Sequence, residues 1–414
     1  VSKGGFEQLE LRAAKVILSP SKGDFCLYQK VVLEWGSKIA MVDYDVIIVG
    51  AGPAGAAAAY WLGEAGRRVL VLDRERLPRY KPCGGGMSRS VLERFPFDLS
   101  PVVEREVGRV CFRFRDGREV TARLPGQRSI VMVMRDRFDY LILQNARADV
   151  QDGEQVVSLH QDGAGVEVTT RSGLTFRGRY LIGADGANSR VARLTGLRRN
   201  KQMGMAIEVE VPADDGLLEK YADTALFIFG TPPFGYLWIF PKAEHLSVGI
   251  GAFEGRGADV RDVLRQEMTK LGVEVDGAQQ HGHPLPVYMR HEPLHQGRVL
   301  LAGDAAGLMD PLLGEGVRHA VDSGCMAAEA ILTGDLPGYT RRVHREIGAD
   351  FLWALRWAHA FYEHPWGCFE LGVRNPRFVK AFVRLLAGQM TYRRMAALAP
   401  LNLLLGIGRR LPAE

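Results

Sequence analysis

Gly50, Gly52 and Gly55 stand in the run Asp45–Gly55, DVIIVGAGPAG, at the spacing G-x-G-x-x-G. That spacing suits a grip on a pyrophosphate. One glycine makes the tight turn, the next lets backbone approach the phosphates, and the third lets a helix starting at Pro53-Ala54 pack closely on a strand. The helix N–H groups then face the anion. Asp73, at the end of the next apolar run and followed by Arg74, lies near the offset of roughly 20 residues at which a carboxylate takes ribose hydroxyls. The same pattern serves nicotinamide and flavin dinucleotides, so residues elsewhere must choose between them. Arg298–Gly307, RVLLAGDAAG, is a second apolar strand ending in a small-residue turn, and Asp310–Val317, DPLLGEGV, leads into another helix. Two such turns far apart in sequence suit a long, extended ligand. Asp304 can accept from ribityl hydroxyls. The turn with Gly314, Gly316 and Val317 can aim helix N–H groups at a flavin's pyrimidine edge, stabilising negative charge there. Tyr180–Arg190, YLIGADGANSR, is a third strand followed by Asp-Gly.

The elements that must position these residues follow from periodicity. Val46–Val49 reads as a first strand, Pro53–Ala65 as a helix stopped by Gly66, and Val69–Leu72 as a second strand. Strand-like alternation dominates Val107–Leu124 and then a stretch from about Gly204 to Phe253. Beyond Asp335, Trp, Phe and Leu recur at helical spacing. Met41 stands just before the first strand, so Val1–Ala40 is expected to be an extension outside the fold. The expected class is α/β, a nucleotide domain interrupted by a sheet-rich domain and completed by helices.

Composition narrows the possibilities further. With 414 residues, two or three domains are expected. No apolar run is long enough for a transmembrane helix. Cys26, Cys83, Cys111, Cys325 and Cys368 are scattered and form no CxxC pair, which argues against a zinc ribbon or a disulfide scaffold and fits a reducing cytoplasm. The net charge of +5 is too mild to imply nucleic acid. His281, His283, His291 and His295 match no ligand spacing and fall among Pro284 and Pro286 in what reads as a loop, so no metal is expected. Gly249–Gly255 has one residue too many for a second dinucleotide fingerprint.

The three strand-and-turn segments together resemble the flavoprotein superfamily that includes para-hydroxybenzoate hydroxylase, over most of Asp45–Gly324. Asp185-Gly186 resembles its DG motif and Asp304 its GD motif. Arg135, in MRDRFDYLIL, resembles its flavin-contacting arginine. Within that superfamily, Arg79–Ser88 (RYKPCGGGMS) and Phe234–Pro241 (FGYLWIFP), followed by Leu246–Gly249, resemble the geranylgeranyl reductase family, which saturates isoprenoid double bonds in chlorophyll precursors, archaeal lipids and quinones. Flavin halogenases carry a related WxWxIP signature, from which Tyr236 and Phe240 depart.

The resemblance implies FAD held in a Rossmann-like domain of the glutathione-reductase type: residues 41–98, 128–200 and 292–335. Residues 99–127 and 201–291 would form the substrate domain, and 336–414 a helical C-terminal region. It places Cys83, with Gly84 and Gly86, beside the flavin, as the expected catalytic residue. Tyr236, Trp238 and Phe240 share one strand face and are expected to line an isoprenoid pocket or to form plain sheet core. An external reductant, NAD(P)H or ferredoxin, would have to act at the flavin. Two rival readings stand beside this one: an aromatic hydroxylase of the same superfamily, and a flavin-containing lipid- or quinone-binding protein without turnover. From Leu371 to Leu411 there are eight Lys and Arg (Arg374, Arg377, Lys380, Arg384, Arg393, Arg394, Arg409, Arg410) and no acid. Interleaved with Phe378, Phe382, Leu385 and Leu403–Leu405, they read either as an apolar-basic surface for peripheral contact with the inner face of a membrane or as a solvated helical cap with a buried apolar face.

Overall fold

The structure, a computed structural model, describes residues 43–126, 129–198, 202–253, 260–373 and 375–397. The expected extension 1–40, Arg374, Leu403–Leu405, Arg409 and Arg410 lie outside these residues. The first strand is Asp43–Val49, and it pairs in parallel with Val69–Asp73, which pairs in parallel with Asp149–Asp152. On its other side lies Thr175–Gly183, itself parallel to Val299–Leu301. Val46, Ile47, Ile48, Leu70, Val71 and Leu72 are fully buried. A parallel sheet covered on both faces explains why these strands read as unbroken apolar runs. Each such side chain contributes about 1.5–3 kcal/mol by leaving water.

The helix Pro53–Glu64 follows the Gly-rich turn and gives way at Ala65 to Gly66, which takes φ +73°. It crosses the helix Val317–Thr333 so closely that a Cβ on Gly324 would sit 2.2 Å from the Ala54 carbonyl oxygen. This crossing brings the N-terminal ends of two helices, distant in sequence, to one place.

A seven-stranded sheet is built from Arg109–Phe114, Glu119–Arg123, Gln202–Pro212, Thr224–Phe229, Gly235–Pro241, His245–Ala252 and Gln280–Val287. Its two faces differ completely. Ile207, Val209, Leu237, Ile239, Leu246, Val248 and Ile250 point one way, into a core closed by Tyr221, Leu264 and Met268 from two helices. Phe227, Tyr236, Trp238 and Phe240 point the other way, toward the rest of the molecule. A third, three-stranded sheet joins Gly86–Ser88, Ile130–Val133 and Val103–Val107.

Three expectations need correction. The stretch from Gly204 to Phe253 is not all strand. Asp215–Tyr221 is a helix, begun by Asp214, whose carboxylate accepts from the Leu217 N–H at 2.8 Å. Val107–Leu124 is divided, with Val107 ending a strand of the small sheet while the rest joins the large one. His281 and His283 are not in a loop but in the strand Gln280–Val287. That strand is at the sheet edge, where Pro284 and Pro286 remove no needed ladder bond.

The C-terminal part is helical as expected: Leu336–Val343, Ala349–Glu363, Pro365–Val373, Pro376–Leu386 and Tyr392–Ala396. Of the apolar residues expected on a membrane-facing surface, however, Phe378, Phe382 and Leu385 point inward, while Trp366 of Pro365–Val373 is exposed. Phe378 packs on Trp357 at 5.6 Å and Phe382 on Phe112 at 5.2 Å, while Leu385 is 4% exposed. What stays outside is basic: Arg377, Lys380 and Arg384. No helix among the described residues is long and apolar enough to cross a membrane.

Candidate functional site

The Gly-rich turn is held by its own backbone. Gly50 takes φ +107°, and a Cβ there would lie 2.3 Å from the Ala184 carbonyl oxygen. A Cβ on Gly55 would lie 1.8 Å from the Gly50 carbonyl oxygen, so the third glycine serves helix packing and not the cavity. Gly52 differs from both. A Cβ there meets nothing nearer than Arg79 Nη2 at 3.5 Å, because Gly52 borders a cavity of about 1040 Å³. That volume is at the top of the usual range for ligand sites, about 300–1,000 Å³.

Every other expected residue lines this same cavity: Gly50, Gly52, Ala54, Asp73 and Arg74 from the first turn and the strand after it, and Asp304, Gly314, Gly316 and Val317 from the second. Cys83, Gly84, Gly86, Arg135, Asp185, Tyr236, Trp238 and Phe240 complete the set. Several have partners already. Asp73 accepts from the Ala51 N–H at 2.7 Å and the Glu75 N–H at 2.9 Å, tying the turn to the second strand. Asp185 accepts from Ser189 Oγ and the Arg190 and Val191 N–H groups, capping the helix Arg190–Thr195. Arg135 is 6% exposed and donates twice to Asp139, at 2.8 Å each. Burial opposes the arginine's charge, and the Asp139 carboxylate more than offsets it. Arg74 lies in the mouth, paired with Glu75 at 3.1 Å.

The Cys83 loop lies against the aromatic strand. A Cβ on Gly84 or Gly86 would strike Trp238 or Phe240 at about 3 Å, and one on Gly85 would strike the Val133 carbonyl and Lys242 Nζ. Glycine is therefore required by the loop's own packing, a reason that sequence reasoning did not supply. Trp238 in turn lies across Gly249, where a Cβ would be 2.1 Å from its ring. Tyr236 donates its hydroxyl to the Leu313 carbonyl. The three aromatics are buried at 7–8% exposure.

Sequence reasoning missed the charged side chains that share this cavity. Lys81 Nζ is 2.8 Å from His283 Nε2, and Asp304 is 4.0 Å from Lys81 and 3.9 Å from His283. Burial works against the Asp304 charge, but the His283 and Lys81 contacts and the Arg135 charge hold its carboxyl down at about 2. Glu208, 3% exposed, accepts from the Cys83 N–H at 2.9 Å, Tyr80 Oη at 3.1 Å and Ser247 Oγ at 2.8 Å. Burial lifts its carboxyl above the ordinary glutamate value against those hydrogen bonds. Lys242 is fully buried and donates to the Val133 carbonyl at 2.7 Å. The available signal was acids at alternate positions of an apolar strand, Glu208 and Glu210 among Ile207, Val209 and Val211. Among the described residues, no three His, Cys, Asp or Glu side chains are grouped to hold a metal.

The cavity fits a dinucleotide on observations independent of the motif. Both helices that open onto it begin at a glycine with no side-chain cap, leaving N–H groups for an anion. Arg79 Nη1, buried beside Gly52, has no partner among the described residues, and such an orphan calls for a ligand acceptor.

Comparison with known proteins agrees. The FAD binding domain family matches residues 43–332. An uncharacterised protein of Methanosarcina barkeri is 35% identical over 319 residues, covering 75% of this chain and 81% of its own. The chloroplastic geranylgeranyl diphosphate reductase of Oryza sativa is 31% identical, over 72% of this chain and 68% of its own. Among solved structures, a geranylgeranyl bacteriochlorophyll reductase-like protein of Thermoplasma acidophilum shares the fold, with TM-score 0.68 at 22% identity, covering 89% of this chain and 96% of that one.

Proposed function

The chain belongs to the FAD binding domain family, in its geranylgeranyl reductase branch, and from that premise we propose that it saturates carbon–carbon double bonds of a polyprenyl chain carried by a lipid, quinone or chlorophyll precursor. One observation carries the reading. The dinucleotide turns, the Cys83 loop and the wall of Tyr236, Trp238 and Phe240 all face a single cavity.

FAD is the cofactor. Gly50, Gly52 and Ala54 would hold its pyrophosphate, with Arg79 as counter-charge, and Asp73 and Arg74 its adenosine. Asp304 and the turn Gly314–Val317 would hold its flavin end. Bound and reduced, it supplies the electron pair that a double bond takes up. The chain's residues provide the rest. An isolated alkene has no carbonyl to polarise, so the wall must exclude water and hold the alkene still. Three buried aromatics on one strand suit that task, and burying prenyl carbons contributes about 0.8 kcal/mol per CH₂. Cys83, partly exposed on the loop beside them, is the side chain we assign to contact with the reacting groups. Electrons come from outside, from NAD(P)H or ferredoxin acting at the flavin. The basic outer face of Pro376–Leu386 would bring the protein to the anionic surface in which such substrates reside.

Oxygen dependence tests the reading. The dithionite-reduced protein, kept anaerobic with geranylgeranyl diphosphate, should yield product heavier by two hydrogens per bond saturated. A strict need for oxygen, or a product that gains an oxygen atom, identifies a hydroxylase instead. No product under either condition leaves the binding-protein reading.

A further inference from the structure

Saturating an alkene takes an electron pair and its hydrogen to one carbon and a proton to the other. The electron pair has a source in reduced flavin. The proton needs a group in the cavity that can give it up and be recharged. Resting on the polyprenyl reading above, we propose that Glu208 is the catalytic acid that protonates the substrate's double bond.

The placement is specific. Glu208 lies on the cavity face of the strand Gln202–Pro212 and lines the cavity itself. In register it stands opposite Gly249 on one neighbouring strand and His281 on the other. Gly249 in turn pairs with Trp238. Because Gly249 has no side chain, the Trp238 indole lies across it and donates to Ser247 Oγ at 3.4 Å. Ser247 donates to Glu208 Oε1, and the other carboxyl oxygen receives the Cys83 N–H. The acid thus sits between the aromatic wall and the Cys83 loop, tied to both. Burying a carboxyl here costs several kcal/mol that an apolar residue would avoid.

Recharging also has a route. Tyr80, 40% exposed, reaches Glu208 Oε2 with its hydroxyl at 3.1 Å and packs at a tilt against His281, ring centroids 4.5 Å apart. In the step, the carboxyl O–H breaks as the new C–H bond forms. The π electrons make that bond, and reduced flavin, once bound, would supply the hydrogen and electron pair that the other carbon needs. Glu208 is left as carboxylate, accepting from Cys83 and Ser247 until a proton returns past Tyr80. The titratable and charged groups facing Glu208 are Tyr80 and Cys83 on the loop, Glu210 on its own strand, His281 on the edge strand and Lys242 beyond the aromatic strand. Burial and Glu210 favour the protonated acid, while Lys242, Ser247 and the Cys83 N–H oppose it.

The test uses the FAD-loaded chain, dithionite and geranylgeranyl diphosphate. Glu208→Gln should keep its FAD and its reduction by dithionite, since Glu208 touches neither the Gly50–Gly55 turn nor the Gly314–Val317 turn. Its saturation rate should fall by about 10²–10⁴, the usual share of a general acid. Wild-type activity should decline as pH rises and the acid ionises, and this limb should vanish in Glu208→Gln. Infrared titration gives a readout without turnover. Wild type should keep a protonated-carboxyl band above the ordinary glutamate range, about 4.3, that is missing in the variant. Ser247→Ala removes a donor that favours the carboxylate, so it should move the pH limb upward while FAD stays bound. A wild-type chain that leaves the substrate unchanged overturns the polyprenyl reading. Saturation by Glu208→Gln at the wild-type rate, or a pH limb unmoved in Ser247→Ala, overturns the assignment to Glu208.

Discussion

The parallel sheet and the seven-stranded sheet border one cavity and hold it by different means. The first works through backbone: Gly50, Gly52 and Gly55 lie within six residues, and their effect is steric. The second works through side chains gathered from far apart, with Glu208, Trp238, Ser247 and His281 meeting Tyr80 and Cys83. Grip by backbone tolerates no bulk but little depends on side-chain identity. Chemistry by side chains needs identity, and burial to tune it.

The sharpest way to break this comparison is Gly52→Trp. Its Cβ has room, so the fold should survive, but the ring would fill the approach to the pyrophosphate. FAD content of the purified protein should drop to nothing while the thermal transition remains cooperative. Gly55→Val, with its Cβ placed 1.8 Å from a carbonyl oxygen, should instead fail to fold. If Gly52→Trp still carries FAD, or if the bound flavin is FMN, the turn has been misread.

On the other sheet, Gly249→Val should displace the Trp238 indole from its bed. We expect FAD content unchanged and alkene saturation down by up to about a hundredfold, the loss that roughly 1 Å of misplacement can produce. Cys83→Ser should act at the same end and more mildly, keeping FAD while slowing saturation or altering how many bonds are reduced. Full activity in Cys83→Ser would leave the thiol a packing role.

The same contrast explains what was legible in the sequence. Gly50, Gly52, Gly55, Asp73 and Asp304 announce themselves because the grip is local and its spacing fixed by a strand, a turn and a helix. The alternation of Tyr236, Trp238 and Phe240 gave their common face, since strand period alone decides it. Glu208 and His283 stayed hidden because their meaning depends on which strands become neighbours, and Gln202–Pro212 pairs with a strand some 80 residues away, His281 opposite Glu208. The edge strand reads as a loop because Pro284 and Pro286 argue against a central strand and say nothing against an edge. Asp215–Tyr221 was missed because seven residues give a helical period little room to show.

A smaller effect should appear where the C-terminal helices join the flavin-side turn. Asp310 accepts from the Leu312 and Leu313 N–H groups and from Tyr392 Oη at 2.7 Å, and burial pushes its carboxyl up to about 6. A carboxyl whose folded value lies above its unfolded one, about 3.9, holds its proton more tightly in the fold. Its contribution to stability is therefore full in acid and lost as pH rises from about 4 through about 6. Tyr392→Phe removes a donor that favours the carboxylate. It should cost about 1–3 kcal/mol near neutral pH, less in acid, and extend the loss to higher pH. Melting temperatures across that range decide it, and a pH-independent difference would show that the tyrosine matters only through packing.

The least effect is expected at the outer face of Pro376–Leu386. Phe378, Phe382 and Leu385 are turned into the molecule, so no apolar side chain of that trio is free to enter a bilayer. Arg377, Lys380 and Arg384 remain exposed, and each basic residue near an anionic surface contributes about 1 kcal/mol at most. Such attraction decays over a Debye length, about 8 Å at physiological salt. Binding to phosphatidylserine vesicles should therefore be weak, vanish when salt is raised, and be absent on neutral lipid. Replacing the three with Gln should reduce it by up to a few kcal/mol without touching FAD or saturation of a soluble prenyl diphosphate. Binding that survives high salt would mean that apolar groups insert after all, and that the inward packing on Trp357 and Phe112 opens at the membrane.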